Sequence, residues 1–162
     1  MARIRPATVD DAGLIHAMVL GIAEHTDSVA DVASSVDDIA RYGFGADPAF
    51  AVLIAEDDQR VAIGMSLYFR SFSTWRGRPG GYIQDFFVAP QARGTATARQ
   101  LLAATAARVH AAGGTYLRLS VEAANELAQR FYRNGMVWSS DERLFKLDGE
   151  PFRQLAGEGE EL

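Results

Sequence analysis

Three kinds of chemistry lie within one stretch of the sequence, Tyr82-Ile83-Gln84-Asp85-Phe86-Phe87-Val88-Ala89-Pro90-Gln91-Ala92-Arg93-Gly94-Thr95-Ala96-Thr97-Ala98. An apolar run carries one carboxylate, Asp85, beside a neutral amide, Gln84. A short segment of small residues follows and leads into a helical pattern. The first amides of a helix lack intrahelical partners and sit at the positive end of its dipole, so amides converging there with Arg93 and Arg99 suit a pyrophosphate. Small side chains around Gly94, Thr95, Ala96, Thr97 and Ala98 allow phosphate to approach the backbone. The plainer alternative is that Gly94 and the alanines only permit a tight strand-to-helix turn. No Gly-Lys-Ser/Thr follows, so this is not a Walker loop.

The elements that must position this stretch are legible from periodicity. Tyr82 to Val88 reads as a central strand ended by Pro90, which has no ladder donor. From Gly94 to Ala112 the residues Ala98, Leu101, Leu102, Thr105 and Val109 recur at helical spacing, and Gly113-Gly114 supplies a stop. Upstream, a short strand ends at Pro6. Thr8-Val9-Asp10-Asp11 and Ser35-Val36-Asp37-Asp38 have capping-box form and start two helices, the first with Ile15, Met18, Val19 and Ile22 along one stripe and the second closed by Gly43 and Gly45. Thr26 to Val32 reads as a loop. Phe50 to Glu56 and Arg60 to Phe69 predict a hairpin turning at Asp57-Asp58-Gln59. Ser71 to Gly81, rich in Gly, Ser and Arg, is expected to be a connecting loop. Downstream, Thr115 to Val121 reads as a strand, Asn125 to Asn134 as a helix ended by Gly135, and Arg143 to Leu147 as a closing strand. The expected class is a single α/β domain over residues 1–155 with a mostly antiparallel sheet, followed by a frayed acidic tail over 156–162.

Composition narrows the function. The 162 residues carry 16 Lys and Arg against 21 Asp and Glu, a formal charge of −5, which argues against nucleic-acid binding through general phosphate neutralisation. There is no cysteine, so disulfides, thiolate metal sites and Cys nucleophiles are excluded, and His16, His25 and His110 show no metal-ligand spacing. No metal is expected. No apolar run approaches a bilayer span and Met1 to Pro6 lacks the apolar core of a secretion signal, so the sequence reads as cytoplasmic, with no membrane partner.

Val88-x-Pro90-Gln91-x-Arg93-Gly94-x-Ala96 resembles the acetyl-CoA motif of the GNAT N-acetyltransferases, and Asn125-x-x-Ala128-x-x-Phe131-Tyr132 resembles the family's later Asn-x-x-Ala helix, with a strand between the two as in the family. The order of elements extends the resemblance over almost the whole chain. Tyr68-Phe69, Ser73-Thr74-Trp75, Gly77-Arg78-Pro79 and Tyr82 to Val88 look like the diamine (spermidine/spermine) acetyltransferases. The resemblance implies a GNAT fold, acetyl-CoA as cosubstrate, a small-molecule amine as partner and a homodimer. It implies that backbone amides around Phe86, Phe87 and Val88 face the thioester, and that Asn125, Ala128 and Phe131 border the cofactor. It also implies that Tyr132 protonates the leaving thiolate, as a phenol protonated at neutral pH can do.

That branch carries Glu where this chain has Gln84, and acidic or aromatic residues where it has His25 and Thr26. Gln84 cannot accept a proton, so the base falls to Asp85, Glu122 or a water relay, and water assisted by Asp85 is the preferred assignment. Glu24, His25, Thr26 and Gln84 are the candidate acceptor-binding residues, with a solvated helix end as the alternative for Glu24 and His25. With two polyamine-reading positions neutral, spermidine is expected to be a poor acceptor. A smaller or amino-acid-like amine is expected to be better, its carboxylate meeting an arginine such as Arg70 or Arg78. The rival functions are a non-catalytic acyl-CoA-binding module and a protein or lysine acetyltransferase needing an open groove.

Overall fold

The computed structural model describes residues 2–136 and 147–160, and these fall into two compact units, residues 1–120 and 121–162. The first unit is built on a five-stranded sheet of order β1-β2-β3-β4-β5, formed by Arg3–Pro6, Ala51–Glu56, Ala62–Ser73, Arg78–Val88 and Leu117–Leu119. Neighbouring strands are antiparallel except the last pair: β4 and β5 run parallel, joined through the helix Thr97–Ala111, here α3. Between β1 and β2 come α1, Ala12–His25, and α2, Val36–Phe44. This is the mixed, mostly antiparallel α/β architecture that the sequence pattern predicts.

Alternation along the strands builds two cores. On one face Ile15 and Met18 of α1 and Ile39 of α2 pack on Val52, Ile54, Met65 and Leu67, with Phe87 against the cluster. On the other, Leu101 of α3 packs on Leu53, Ala55, Ile63 and Ala89. Each large apolar side chain so buried contributes about 1.5–3 kcal/mol. Thr105 is the polar member of the second core, its hydroxyl 2.9 Å from both Ser66 Oγ and the Leu101 carbonyl, so neither buried hydroxyl lacks a partner. The edge strand β1 is pinned by Arg5, which bridges Asp11 at 2.7 and 2.8 Å and the buried Glu56 at 2.6 Å. Arg5 holds the Asp11 carboxyl below its ordinary pKa.

Both capped helix starts are present: Ser35 Oγ accepts from the Asp38 N–H at 3.2 Å while Asp38 accepts from the Ser35 N–H at 2.8 Å. At the first, the Asp11 carboxylate accepts from the Thr8 N–H at 2.8 Å, and a short 3-10 turn, Val9–Asp11, precedes α1. The Thr26 to Val32 segment contains a further 3-10 turn, Val29–Asp31.

One expectation fails. Ser71 to Gly81 is not a connecting loop: β3 runs on to Ser73, β4 starts at Arg78, and residues 74–77 alone make the turn. The glycines that suggested a loop serve packing instead. A Cβ at Gly80 would lie 2.5 Å from the Tyr116 ring, and one at Gly81 would lie 2.6 Å from Val109. Both positions are strand residues that a neighbour's side chain approaches too closely for a Cβ.

The second unit holds α4, Glu126–Arg133, and α5, Gly149–Glu160. The latter runs into the acidic segment read as tail from the sequence. In the closing strand expected over Arg143 to Leu147, residues 143–146 lie outside the described residues.

Candidate active site

Strand β4 changes character halfway along. Gly81, Tyr82 and Ile83 pair with Leu117, Arg118 and Leu119 of β5, and there the pairing stops, although β4 continues for five residues to Val88. Beyond Ile83 no strand among the described residues pairs with this edge of β4. On its other side Tyr68 pairs with Ile83 and Leu67 with Asp85, so Gln84 is an extra residue without a counterpart, a β-bulge. The bulge exchanges the faces of the strand. Ile83 is buried on the α3 side, yet Asp85, two residues later, lies opposite Leu67 on the α1 side. Phe87 follows on that side, its ring so close to α1 that a Cβ at Gly21 would lie 2.9 Å from it.

The bulge thus turns a carboxylate toward α1. Asp85 is half-buried and has no hydrogen bond or ion pair among the described residues, and burial raises its pKa above the ordinary aspartate value. A carboxylate left in this state is suited to hold an ammonium or to accept its proton. Gln84 is exposed beside it.

Backbone direction on the open edge follows from one hydrogen bond. The Ala89 N–H donates to the Ile63 carbonyl at 2.9 Å. Antiparallel pairing alternates every residue, so Phe87 turns its N–H and C=O toward β3, while Phe86 and Val88 turn theirs to the open edge. Arg93 Nε donates to the Val88 carbonyl at 3.1 Å, and the Val88 N–H faces the gap.

After β4 a 3-10 turn, Pro90–Ala92, leads to Gly94 at φ +74°, where an L side chain would be strained, and then to α3 at Thr97. The helix therefore begins three residues later than the periodicity suggested, because Gly94 to Ala96 form the approach to it. Thr95 Oγ1 accepts from the Thr97 N–H at 3.2 Å and donates to the Ala92 carbonyl at 2.7 Å. Among the described residues the N–H groups of Gly94, Thr95 and Ala96 have no hydrogen-bond partner. Arg93 and Arg99 are exposed nearby, and Ala98 is half-buried. These orphan amides and the absence of a Cβ at Gly94 fit a phosphate group. The recess on the β2–β3 side of the loop, about 410 Å³, includes Asp57 and Asp58 in its lining and is the wrong seat for an anion.

Of the acceptor candidates, Glu24 and His25 are exposed at the end of α1. Thr26 caps that end, its hydroxyl 3.3 Å from the Ile22 and Ala23 carbonyls and 2.6 Å from Ser28 Oγ. Thr26 is thus engaged in ending a helix. In the second unit Asn125 acts as N-cap, its Oδ1 accepting from the Ala128 N–H at 3.1 Å. Phe131 and Tyr132 meet edge to face at 5.0 Å, and burial raises the Tyr132 pKa, so its hydroxyl stays protonated across the physiological range.

Sequence reasoning missed a set of residues on the α1 face of β3, β4 and β5. Phe69 and Tyr82, opposite each other, stack with centroids 5.2 Å apart, and Tyr82 Oη lies 2.8 Å from Ser120 Oγ where β4 and β5 part. Farther along that face Arg76 and Arg118 lie over the Tyr116 ring at 5.7 and 5.6 Å. The Gly80-Gly81 pair was the available signal, and it was read as part of a connecting loop. Among the described residues no group of three His, Asp or Glu side chains could hold a metal, and no helix is long and apolar enough to cross a membrane.

The family model of the GNAT acetyltransferases matches residues 19–136. A thialysine N-epsilon-acetyltransferase of Mus musculus is 31% identical over 96% of this chain and 97% of its own length. A spermidine/spermine N(1)-acetyltransferase-like protein 1 of Homo sapiens is 25% identical over 96% of this chain and 24% of its own length. Among solved structures, an integron cassette protein of V. cholerae superposes with TM-score 0.74 at 21% identity over 96% of this chain and 97% of its own. An aminoglycoside acetyltransferase from an uncultured soil metagenomic sample gives 0.73 at 12% identity over 91% of this chain and 95% of its own.

Proposed function

This chain belongs to the GNAT acetyltransferase family, in a diamine acetyltransferase-like branch, and is an N-acetyltransferase; from that premise we propose that it acetylates the terminal primary amine of a small molecule by direct attack in a ternary complex. The family uses acetyl-CoA as cosubstrate, which supplies the activated acetyl group. The observation that carries the reading is the parting of β4 from β5 after Ile83, with Asp85 turned to one face and the Val88 N–H turned into the gap.

Each residue then has a task. The amides of Gly94, Thr95 and Ala96, with Arg93 and Arg99, hold the pyrophosphate by charge-assisted bonds. The Val88 N–H donates to the acetyl carbonyl oxygen as negative charge develops on it. Asp85, directly or through water, draws the proton from the acceptor ammonium so that the amine can attack. Tyr132 donates its proton to the departing thiolate, a role that rests on its place in the Asn125 to Tyr132 element. Phe86, Phe87, Asn125, Ala128 and Phe131 border the cofactor in the same reading. The substrate range includes amino-acid-like amines, diamines and polyamines. The relatives' activity on thialysine favours the first, and so does the neutral Gln84. We further propose that the enzyme works as a cytoplasmic homodimer.

The test is a panel of amines incubated with acetyl-CoA, reading thiol release and the acetylated product. Acetylation of at least one primary amine is the expected result. Binding of acetyl-CoA with no transfer to any amine would make the protein a non-catalytic acyl-CoA-binding module.

A further inference from the structure

The face of the sheet that carries Asp85 carries the opposite charge at its far end. Arg76, in the β3–β4 turn, and Arg118, on β5, approach the same ring, Tyr116. Both guanidinium groups are exposed, and neither has a carboxylate partner among the described residues. The ring itself is fixed. It lies flat on the glycine backbone at Gly80, and its hydroxyl accepts from Ser71 Oγ at 3.2 Å. Two cations held against one immobilised aromatic ring, without a carboxylate to neutralise them, form a seat for an anion.

The register relates this seat to Asp85. Arg118 is the parallel partner of Tyr82, Tyr82 stands opposite Phe69, and Asp85 stands opposite Leu67. The Tyr116 ring lies over Gly80, which stands opposite Ser71, so the seat and Asp85 are four residues of β3 apart, about 14 Å at the usual strand rise. The stacked Phe69 and Tyr82 rings lie between them on the same face. This face thus runs from paired cations, over aromatic surface, to a single half-buried carboxylate. Its complement is a zwitterion with a carboxylate at one end, a flexible apolar chain, and an ammonium at the other.

We propose that Arg76 and Arg118, braced by Tyr116, bind the carboxylate of the acceptor, where that acceptor is an amino acid whose side chain ends in a primary amine, the kind the thialysine relatives' name already indicates. This rests on the reading of Asp85 as the amine's partner and deepens it. It replaces Arg70 and Arg78, the arginines that sequence reasoning offered for the same task, with two that share a ring. It also explains how a site lacking the carboxylate at position 84 gains selectivity: a diamine offers a second cation where the protein presents two of its own.

The experiment compares lysine with lysine amide and with the corresponding diamine, cadaverine, in wild type, Arg118→Gln, Arg76→Gln and Arg118→Lys. In wild type, kcat/KM for lysine should exceed that for the amide by roughly 10-fold or more, the value of a charge-assisted bond. Each Gln variant should raise KM for lysine about 10-fold, with kcat and the amide's kcat/KM little changed, and Arg118→Lys should restore part of the loss. Equal kcat/KM for lysine and its amide in wild type would overturn the proposal. So would a Gln variant that lowered both acceptors equally, since that marks a structural role. Calorimetric binding of lysine and its amide to the wild-type protein loaded with CoA reads the same preference without turnover. Tighter binding of the acid with no acetylation of any amine would sink the catalytic reading and leave this one standing. Equal binding would sink this one alone.

Discussion

The two sides of β4 are built by different means. On the side proposed for the donor the groups on offer are backbone amides of consecutive residues, Gly94 to Ala96, presented by a turn whose geometry depends on one positive φ. On the side proposed for the acceptor they are side chains drawn from three strands and a turn, Arg76, Phe69, Tyr82, Asp85 and Arg118, aligned by pairing and by one bulge. A backbone site tolerates plain residues and keeps one ligand. A side-chain site can be rewritten one residue at a time, which makes it the part of the molecule where substrate choice resides.

This contrast predicts that damage to the donor side removes binding altogether, whereas damage to the acceptor side changes rate or choice. The largest effect is expected at Gly94. Gly94→Glu places bulk and negative charge at the loop; the positive φ strains the new side chain by about 1–2 kcal/mol, while no atom beyond its chain neighbours lies within 4 Å of the added Cβ, and in the folded variant acetyl-CoA affinity should fall at least about 100-fold by calorimetry. Unchanged affinity in the folded variant would move the phosphates elsewhere. Next comes Tyr132→Phe, expected to lower kcat roughly 10- to 1000-fold with little change in melting temperature, as for loss of one acid. Wild-type turnover at saturating amine would remove it from the chemistry.

Asp85→Asn should lower kcat by roughly 10- to 100-fold and leave acetyl-CoA affinity unchanged. The sign of the pH dependence follows from burial. Because the folded-state pKa of Asp85 is raised, wild-type activity should fall as pH drops through that raised value, earlier than for an ordinary carboxylate. The same shift means that at neutral pH the ionised Asp85 destabilises the folded state relative to the unfolded one. Asp85→Asn should therefore melt higher than wild type at neutral pH. That gain should shrink on acidification and vanish below the unfolded aspartate pKa, where Asp85 is protonated in both states. A variant less stable at every pH would mean that the carboxylate is held by bonds to its ionised form. The smallest effect is at Gln84→Glu, predicted to raise kcat/KM for spermidine by about 10-fold in competition assays. A spermidine kcat/KM in wild type above that of every monoamine and amino acid tested would show that other carboxylates, such as Asp27 or Asp31, serve the polyamine.

The same contrast decides what the sequence made legible. The elements of the proposed donor side could be read because they are contiguous: Arg93 to Ala98 is one run of mostly small residues ahead of a helical pattern, and Tyr82 to Val88 is one apolar strand. The helices with capping boxes were legible for the same reason. The acceptor side depends on which residue of β3 stands opposite which of β4, and nothing local marks Gln84 as the extra one. The Ser71 to Gly81 segment was misread because glycine in a strand and glycine in a turn look alike until the ring lying over Gly80 is seen. Thr26, placed at the acceptor by resemblance, is occupied in capping α1.

The extra residue at Gln84 also sets how this strand tolerates change in length. Neighbouring residues of a strand point to opposite sides, so a side chain's face is set by the ladder and not by the residue count. Ile83 stands opposite Tyr68 and Asp85 opposite Leu67 whether or not a residue bulges out between them. Deleting Gln84 would therefore close the strand into a regular ladder with Asp85 and Phe87 still facing α1, and only the local bend and the exposed amide would be lost. Position 84 is a splice point: β4 can give up a residue there, and a relative without it presents the same chemistry on the same side.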